Sequence, residues 1–249
     1  MNSRHLFLMG GSPPFGQRLG KMFTELACGS DGKIAILFLE RDGWEMYMNK
    51  YTSALVPNGA RNFCYLPLSS GPAESYLQEL MSCSGIIIGG GDTENYRKFI
   101  VDSETGECIR KMYMNGIPVA GFSAGALIIP EHCIIPPIDN LKRQHLFLKG
   151  LGLIRNCAIS VHFTKWNERE NLKAAAGKVN AAIGYGIDDD AGVIFTMKFR
   201  LTMKETYIFI KMKLKKASRL ACFFSYNEQI IPLPASVLSA SVPFQILPA

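Results

Sequence analysis

The chain has 249 residues, 48% apolar and 19% charged, enough to bury a substantial core and unlike the composition of a disordered protein. Its formal charge of +6 is concentrated in Lys211, Lys213, Lys215, Lys216 and Arg219; the remainder is nearly balanced, which argues against a general nucleic-acid surface. Seven cysteines, an odd number with no CxxC pair, predict reduced thiols in a cytoplasmic protein, and no signal peptide or apolar run of roughly 18 residues predicts membrane insertion.

In chain order, HLFLM at 5–9 predicts a buried strand, followed by a loop, GGSPP, at 10–14. Residues 17–27 have helical spacing, with Leu19, Met22, Phe23 and Leu26 on one face. The continuous apolar run IAILFL at 34–39 predicts a strand covered on both faces. A helix at 44–55, a strand at 62–66 and a helix at 73–81 follow. A strand at 84–88 runs into Gly89-Gly90-Gly91-Asp92-Thr93, where Thr93 is placed to cap a helix reaching residue 100. A helix at 107–115 leads to a strand at 117–122. Beyond it lie a proline-containing loop at 131–143, the segment LFLKGLG at 146–152, a strand at 157–161, a helix at 168–176 and a strand at 181–187. Residues 193–195 and 206–210 are expected to form a closing hairpin. This alternation predicts a single α/β domain over residues 1–210, a mostly parallel central sheet with helices on both faces. Residues 211–249 form a basic and then apolar C-terminal appendage. In such sheets, sites form at the carboxyl ends of the strands.

The pentapeptide Gly121-Phe122-Ser123-Ala124-Gly125 falls between a strand and a helix-competent run. G-x-S-x-G in that context is a sharp turn that lifts one hydroxyl off the sheet edge, making Ser123 a candidate nucleophile. A serine needs a base, and of the four histidines only His162 falls at a strand end facing the same edge; His5, His132 and His145 do not. An acid must then orient the imidazole. Asp188, Asp189 and Asp190 end the next strand, with Glu131 and Asp139 as rivals. The Ala124 N–H is one oxyanion donor by position, and Gly90 or Gly91 a second. The Gly89–Gly91 turn lacks the ending of a P-loop and the spacing of a dinucleotide fingerprint, and no zinc spacing occurs. No cofactor and no metal are therefore expected.

Taken together, GGGDT at 89–93, GFSAGA at 121–126, His-Phe-Thr at 162–164 and Gly-Ile-Asp-Asp-Asp at 186–190 resemble the dipeptidase E and cyanophycinase serine peptidases over residues 5–195. The resemblance implies a class I glutamine amidotransferase-like fold. It places the nucleophile on Ser123, the base on His162 and the triad acid on Asp189, where the family carries glutamate; Asp188 and Asp139 are the alternatives. It places the oxyanion donors on Gly91 and Ala124 and substrate contacts at Gly90, Asp92 and Thr93. Aspartyl dipeptidases typically have asparagine where this chain has Asp92, whose charge opposes an acidic P1 side chain. Cyanophycinases carry several arginines after the histidine. Here Trp166, Glu168 and Arg169 leave a single arginine, which argues against cyanophycin as substrate. The expected activity is hydrolysis of a small peptide or amide through an acyl-enzyme, with no nucleic-acid or membrane partner; a homodimer is compatible with it. An inactive ligand-binding relative and an esterase are the alternatives. A glutamine amidotransferase proper would carry cysteine at the turn.

Overall fold

The computed structural model describes residues 3–199 apart from 30, 70 and 71, together with the strands at 208–212, 222–225, 230–231 and 240–243. The basic run and the apolar terminal stretch otherwise lie outside the described residues. In chain order the elements are β1 (Ser3–Met9), α1 (Gln17–Cys28), β2 (Lys33–Phe38), α2 (Trp44–Thr52), β3 (Asn62–Pro67), α3 (Glu74–Met81) and β4 (Gly85–Ile88). A short α4 (Thr93–Tyr96) widens into a π turn at Arg97–Val101; α5 (Glu104–Met114), β5 (Val119–Phe122) and α6 (Ala124–Ile128) follow. Next come β6 (His132–Ile135), β7 (Leu146–Lys149), β8 (Cys157–Ser160), α7 (Arg169–Lys178), β9 (Ile183–Gly186) and β10 (Gly192–Phe199). The last strands are β11 (Ile208–Met212), β12 (Cys222–Ser225), β13 (Ile230–Ile231) and β14 (Ala240–Pro243).

The main sheet has the order β14-β11-β10-β1-β5-β4-β2-β3. From β3 to β1 all neighbours are parallel, and β10 adds antiparallel to β1. Alternating side chains on these strands feed two cores. Leu6, Leu8, Ala35, Leu37, Ile86, Ile88 and Val119 point toward α3 and α5, where Leu80, Cys108, Ile109 and Met112 meet them. Phe7, Met9, Ile34, Ile36, Ile87, Ala120 and Phe122 point the other way, toward Leu19, Phe23 and Ala27 of α1 and Met48 and Tyr51 of α2. A sheet buried on both faces explains why these strands read as unbroken apolar runs. β10 does form an antiparallel hairpin with β11, but through residues 197–199 and 208–210; residues 193–195, expected to make that pairing, pair with β1 instead. The division expected at residue 210 falls inside β11.

Two features differ from expectation. β8 and β9 pair with each other, parallel, in a separate sheet of order β13-β12-β9-β8. The edge of β1 away from β5 is taken by β10, so the main sheet has no slot for them there. The stretch expected to be loop at 131–143 contains β6, which pairs antiparallel with β7.

Candidate active site

Three strand ends of the main sheet, β1, β4 and β5, open toward one edge, and the ends of β8 and β9 are stitched onto it by main-chain hydrogen bonds. The Ser123 N–H donates to the Met9 carbonyl at 3.0 Å, and the His162 N–H to the Gly10 carbonyl at 3.0 Å. The Gly125 N–H donates to the Gly89 carbonyl at 3.1 Å, and the Ile187 N–H to the Ser160 carbonyl at 2.9 Å. Residues scattered from 9 to 187 are thus fixed through rigid backbone rather than long side chains, which is what sub-ångström placement of reacting groups requires.

Ser123 sits at φ 46° and ψ −107°, outside the ordinary basins for a residue with a Cβ. The flanking glycines make this turn sterically feasible. A Cβ on Gly125 would collide with the Ile88 carbonyl oxygen, and one on Gly121 would come 2.5 Å from the Gly125 carbonyl carbon. The turn therefore packs its own backbone against β4 and leaves Ser123, half-buried, as the residue that points out.

The Ser123 Oγ lies 2.9 Å from His162 Nε2, and His162 Nδ1 lies 2.8 Å from Asp189 Oδ1. His162 is itself at φ 48° and 9% exposed, with the Trp166 ring packed 4.3 Å from its own. Lys165 approaches Asp189 at 3.9 Å from solvent. Of the other acids, Asp188 accepts the Thr164 N–H at 2.7 Å, which braces the turn after His162. Asp139 accepts the Thr93 hydroxyl at 2.6 Å. The carboxylate on the imidazole is thus Asp189, despite being one methylene shorter than glutamate. Its main chain packs against the first glycine turn: a Cβ on Gly11 would lie 2.7 Å from the Asp189 Cα, and one on Gly10 would collide with the Ile187 carbonyl oxygen.

The glycine turn after β4 abuts the serine, since a Cβ on Gly90 would stand 3.3 Å from that of Ser123. The Gly90 N–H donates to the Tyr51 hydroxyl at 3.2 Å. The N–H groups of Gly91 and Ala124 donate to no acceptor among the described residues. Asp92, not Thr93, caps α4, accepting the Asn95 N–H at 2.7 Å. Thr93 is fully buried. Burial pushes the Asp139 carboxyl above its ordinary range; the bond from Thr93 and the nearby His162 oppose this, while Asp92 and Glu94 add to it. Glu168 is buried beneath the His162 turn and accepts from the Asn171 amide at 2.9 Å. Among the described residues no group of three or more His, Cys, Asp or Glu side chains is placed to hold a metal ion.

Sequence reasoning did not find Tyr51, Tyr96 or the Gly10-Gly11 turn. The first two are distant in sequence and lie on helices whose apolar faces read as core. Gly10-Gly11, however, follows a strand as the two motif turns do, and that shared context was a usable signal.

A strand–serine–helix turn on a parallel sheet, with histidine and carboxylate delivered from neighbouring strand ends, is the site architecture of a serine hydrolase. The family model for peptidase family S51 matches residues 7–198, and the chain belongs to that family, a family of serine peptidases. The chain is 25% identical over 187 residues to a cyanophycinase of Geminocystis herdmanii, a match spanning 72% of this chain and 69% of that protein. Other cyanophycinases match over 40% of their own length. Among solved structures, a peptidase from an acI-B1 Actinobacterium superimposes with a TM-score of 0.65 over 98% of both chains at 16% identity. A putative peptidase E protein from Listeria monocytogenes EGD-e does so with a TM-score of 0.57 at 17% identity, over 83% of this chain and 98% of that one. At these identities the structural likeness is one of fold. No helix among the described residues is long and apolar enough to cross a membrane.

Proposed function

We propose that the chain hydrolyses a small peptide or amide through a serine acyl-enzyme. The observation that carries this reading is the continuous Ser123–His162–Asp189 chain of hydrogen bonds at 2.9 and 2.8 Å. In the first half-reaction the Ser123 oxygen attacks the scissile carbonyl carbon while His162 Nε2 takes its proton. The tetrahedral oxyanion is received by the N–H groups of Gly91 and Ala124. His162 then returns the proton to the leaving amine, and the C–N bond breaks to leave the acyl-enzyme. Water repeats the sequence, with His162 again as base, and releases the acid. Asp189 keeps Nδ1 protonated and stabilises the imidazolium.

For the substrate, exposed Asp92 and Glu94 make the side of the site nearest the glycine turn anionic. An acidic side chain next to the scissile bond would meet that field at short range, so the proposed substrate carries a neutral or cationic residue there. The relatives are named cyanophycinases, but Glu168 lies buried and bound within the chain, and only Arg169 follows His162 closely. A substrate other than cyanophycin fits these residues better.

The test is turnover of matched dipeptide amides and esters bearing acidic, neutral or basic side chains, by wild type and by Ser123→Ala. The reading expects loss of at least about 1,000-fold in S123A and the slowest wild-type rates on acidic substrates. Full turnover by S123A would refute the mechanism, a preference for acidic substrates would refute the specificity, and ester cleavage without amide cleavage would reassign the chain as an esterase.

A further inference from the structure

Two buried phenols converge on the glycine turn beside the serine. Tyr51, on α2, and Tyr96, at the end of α4, are 1% and 0% exposed. A Cβ on Gly89 would lie 2.6 Å from both hydroxyl oxygens. The Tyr51 hydroxyl accepts the Gly90 N–H at 3.2 Å. The Tyr96 hydroxyl donates to the Gly90 carbonyl at 3.3 Å and accepts the Leu39 N–H at 3.4 Å. Burial pushes both phenols far above their ordinary range, so both stay neutral.

A peptide unit is planar and trans, so its C=O and N–H point in opposite directions. The Gly90 carbonyl and the Gly91 N–H belong to one such unit. Between two glycines this plane has little steric resistance to rotation, because neither side has a Cβ. Fixing the carbonyl with Tyr96, and the preceding N–H with Tyr51, fixes the direction of the Gly91 N–H. We infer that Tyr51 and Tyr96 are positioning residues that hold the Gly90–Gly91 peptide with its N–H aimed at the oxyanion, and so set the acylation rate without touching substrate. This rests on the serine-hydrolase reading above. Its sequence trace is faint: Tyr51 and Tyr96 stand 39 and 6 residues from Gly90.

The experiment uses a fluorophosphonate, in which the serine oxygen bonds to phosphorus, fluoride leaves, and the phosphoryl oxygen takes the place of the oxyanion. Labelling kinetics are compared for the wild type, Tyr51→Phe and Tyr96→Phe, with the melting temperature of each. Removing one oxyanion donor outright costs about 100- to 1,000-fold in known cases. A loosened donor is expected to cost less, about 10- to 100-fold in kinact, with KI unchanged and the effect present well below the melting temperature. A folded variant of either kind with kinact within about twofold of wild type would overturn the role of that tyrosine; a merely structural role lowers the melting temperature and spares kinact. A wild type that forms no adduct at Ser123 would instead overturn the hydrolase reading, and this inference with it.

Discussion

At the residue scale, Ser123 is held at φ 46°, ψ −107° by its neighbours and not by its own preference. Such conformations cost on the order of 1–3 kcal/mol and persist where the surroundings over-determine them, here through the bond from its N–H to Met9. Asp189 is the second fixed point. Asp189→Asn keeps the shape but no longer enforces the imidazole tautomer, so kcat is expected to fall about 100- to 10,000-fold; a loss under threefold would pass the acid's role to another carboxylate. Asp139 gives a prediction about stability. Its folded-state pKa is raised, mainly by burial, so the fold favours the neutral carboxyl, and that contribution is complete below the unfolded pKa and lost as pH rises through the folded one. Asp139→Asn keeps an acceptor for Thr93 without the charge. Melting curves should show the variant more stable than wild type at pH 8, with the gap closing toward pH 3; a gap that widens on acidification would contradict this.

At the element scale, the site depends on how closely β5 and the turn into α6 sit against β4. Gly125→Ala would drive a Cβ into the Ile88 carbonyl oxygen and to 2.7 Å from that of Gly89. Backbone cannot give way as a side chain does, so the expected cost is about 1–3 kcal/mol, read by denaturant unfolding, together with displacement of Ser123. Most of the main sheet was legible because its strands are buried on both faces: IAILFL, HLFLM and GIII have no polar interruption to mislead a reader. The second sheet was not legible, because nothing in Cys157–Ser160 or Ile183–Gly186 says which neighbour it chooses; that is settled by β10 occupying the free edge of β1. The β6–β7 pair was hidden by short four-residue strands and a proline-bearing connection without a hairpin-turn signature. Thr93 read as a helix cap, yet Asp92 took that place and freed the threonine hydroxyl for Asp139.

At the scale of the whole molecule, the site gathers from five strand ends, and the match to the model of peptidase family S51 spans every motif that announces it, from Gly89 to Asp190. Ser123 and His162 were recoverable from local context because each ends a strand. Asp189 was named from the same strand-end context, but local context left Asp188 and Asp139 as rivals; its packing against Gly10-Gly11, more than 170 residues away in the chain, is a contact no local pattern reports. The thiols offer a global check on which nucleophile the chain uses. Burial pushes the Cys64, Cys133 and Cys157 thiols up to about 12 and raises those of Cys28, Cys83 and Cys108. Among these six described cysteines little thiolate is present at neutral pH, so iodoacetamide at about pH 7.5 should cost no turnover through any of the six, while a fluorophosphonate abolishes it. Inactivation by iodoacetamide at a described cysteine would argue for a different centre.

The most direct measurement of the central claim is the site of covalent modification by a fluorophosphonate, read by intact mass and peptide mapping in wild type, S123A and His162→Ala. The account predicts a single adduct on Ser123 in the wild type, none in S123A, and labelling slowed by at least about 100-fold in H162A. An adduct of equal yield in S123A, or labelling of Ser123 indifferent to loss of His162, would contradict it.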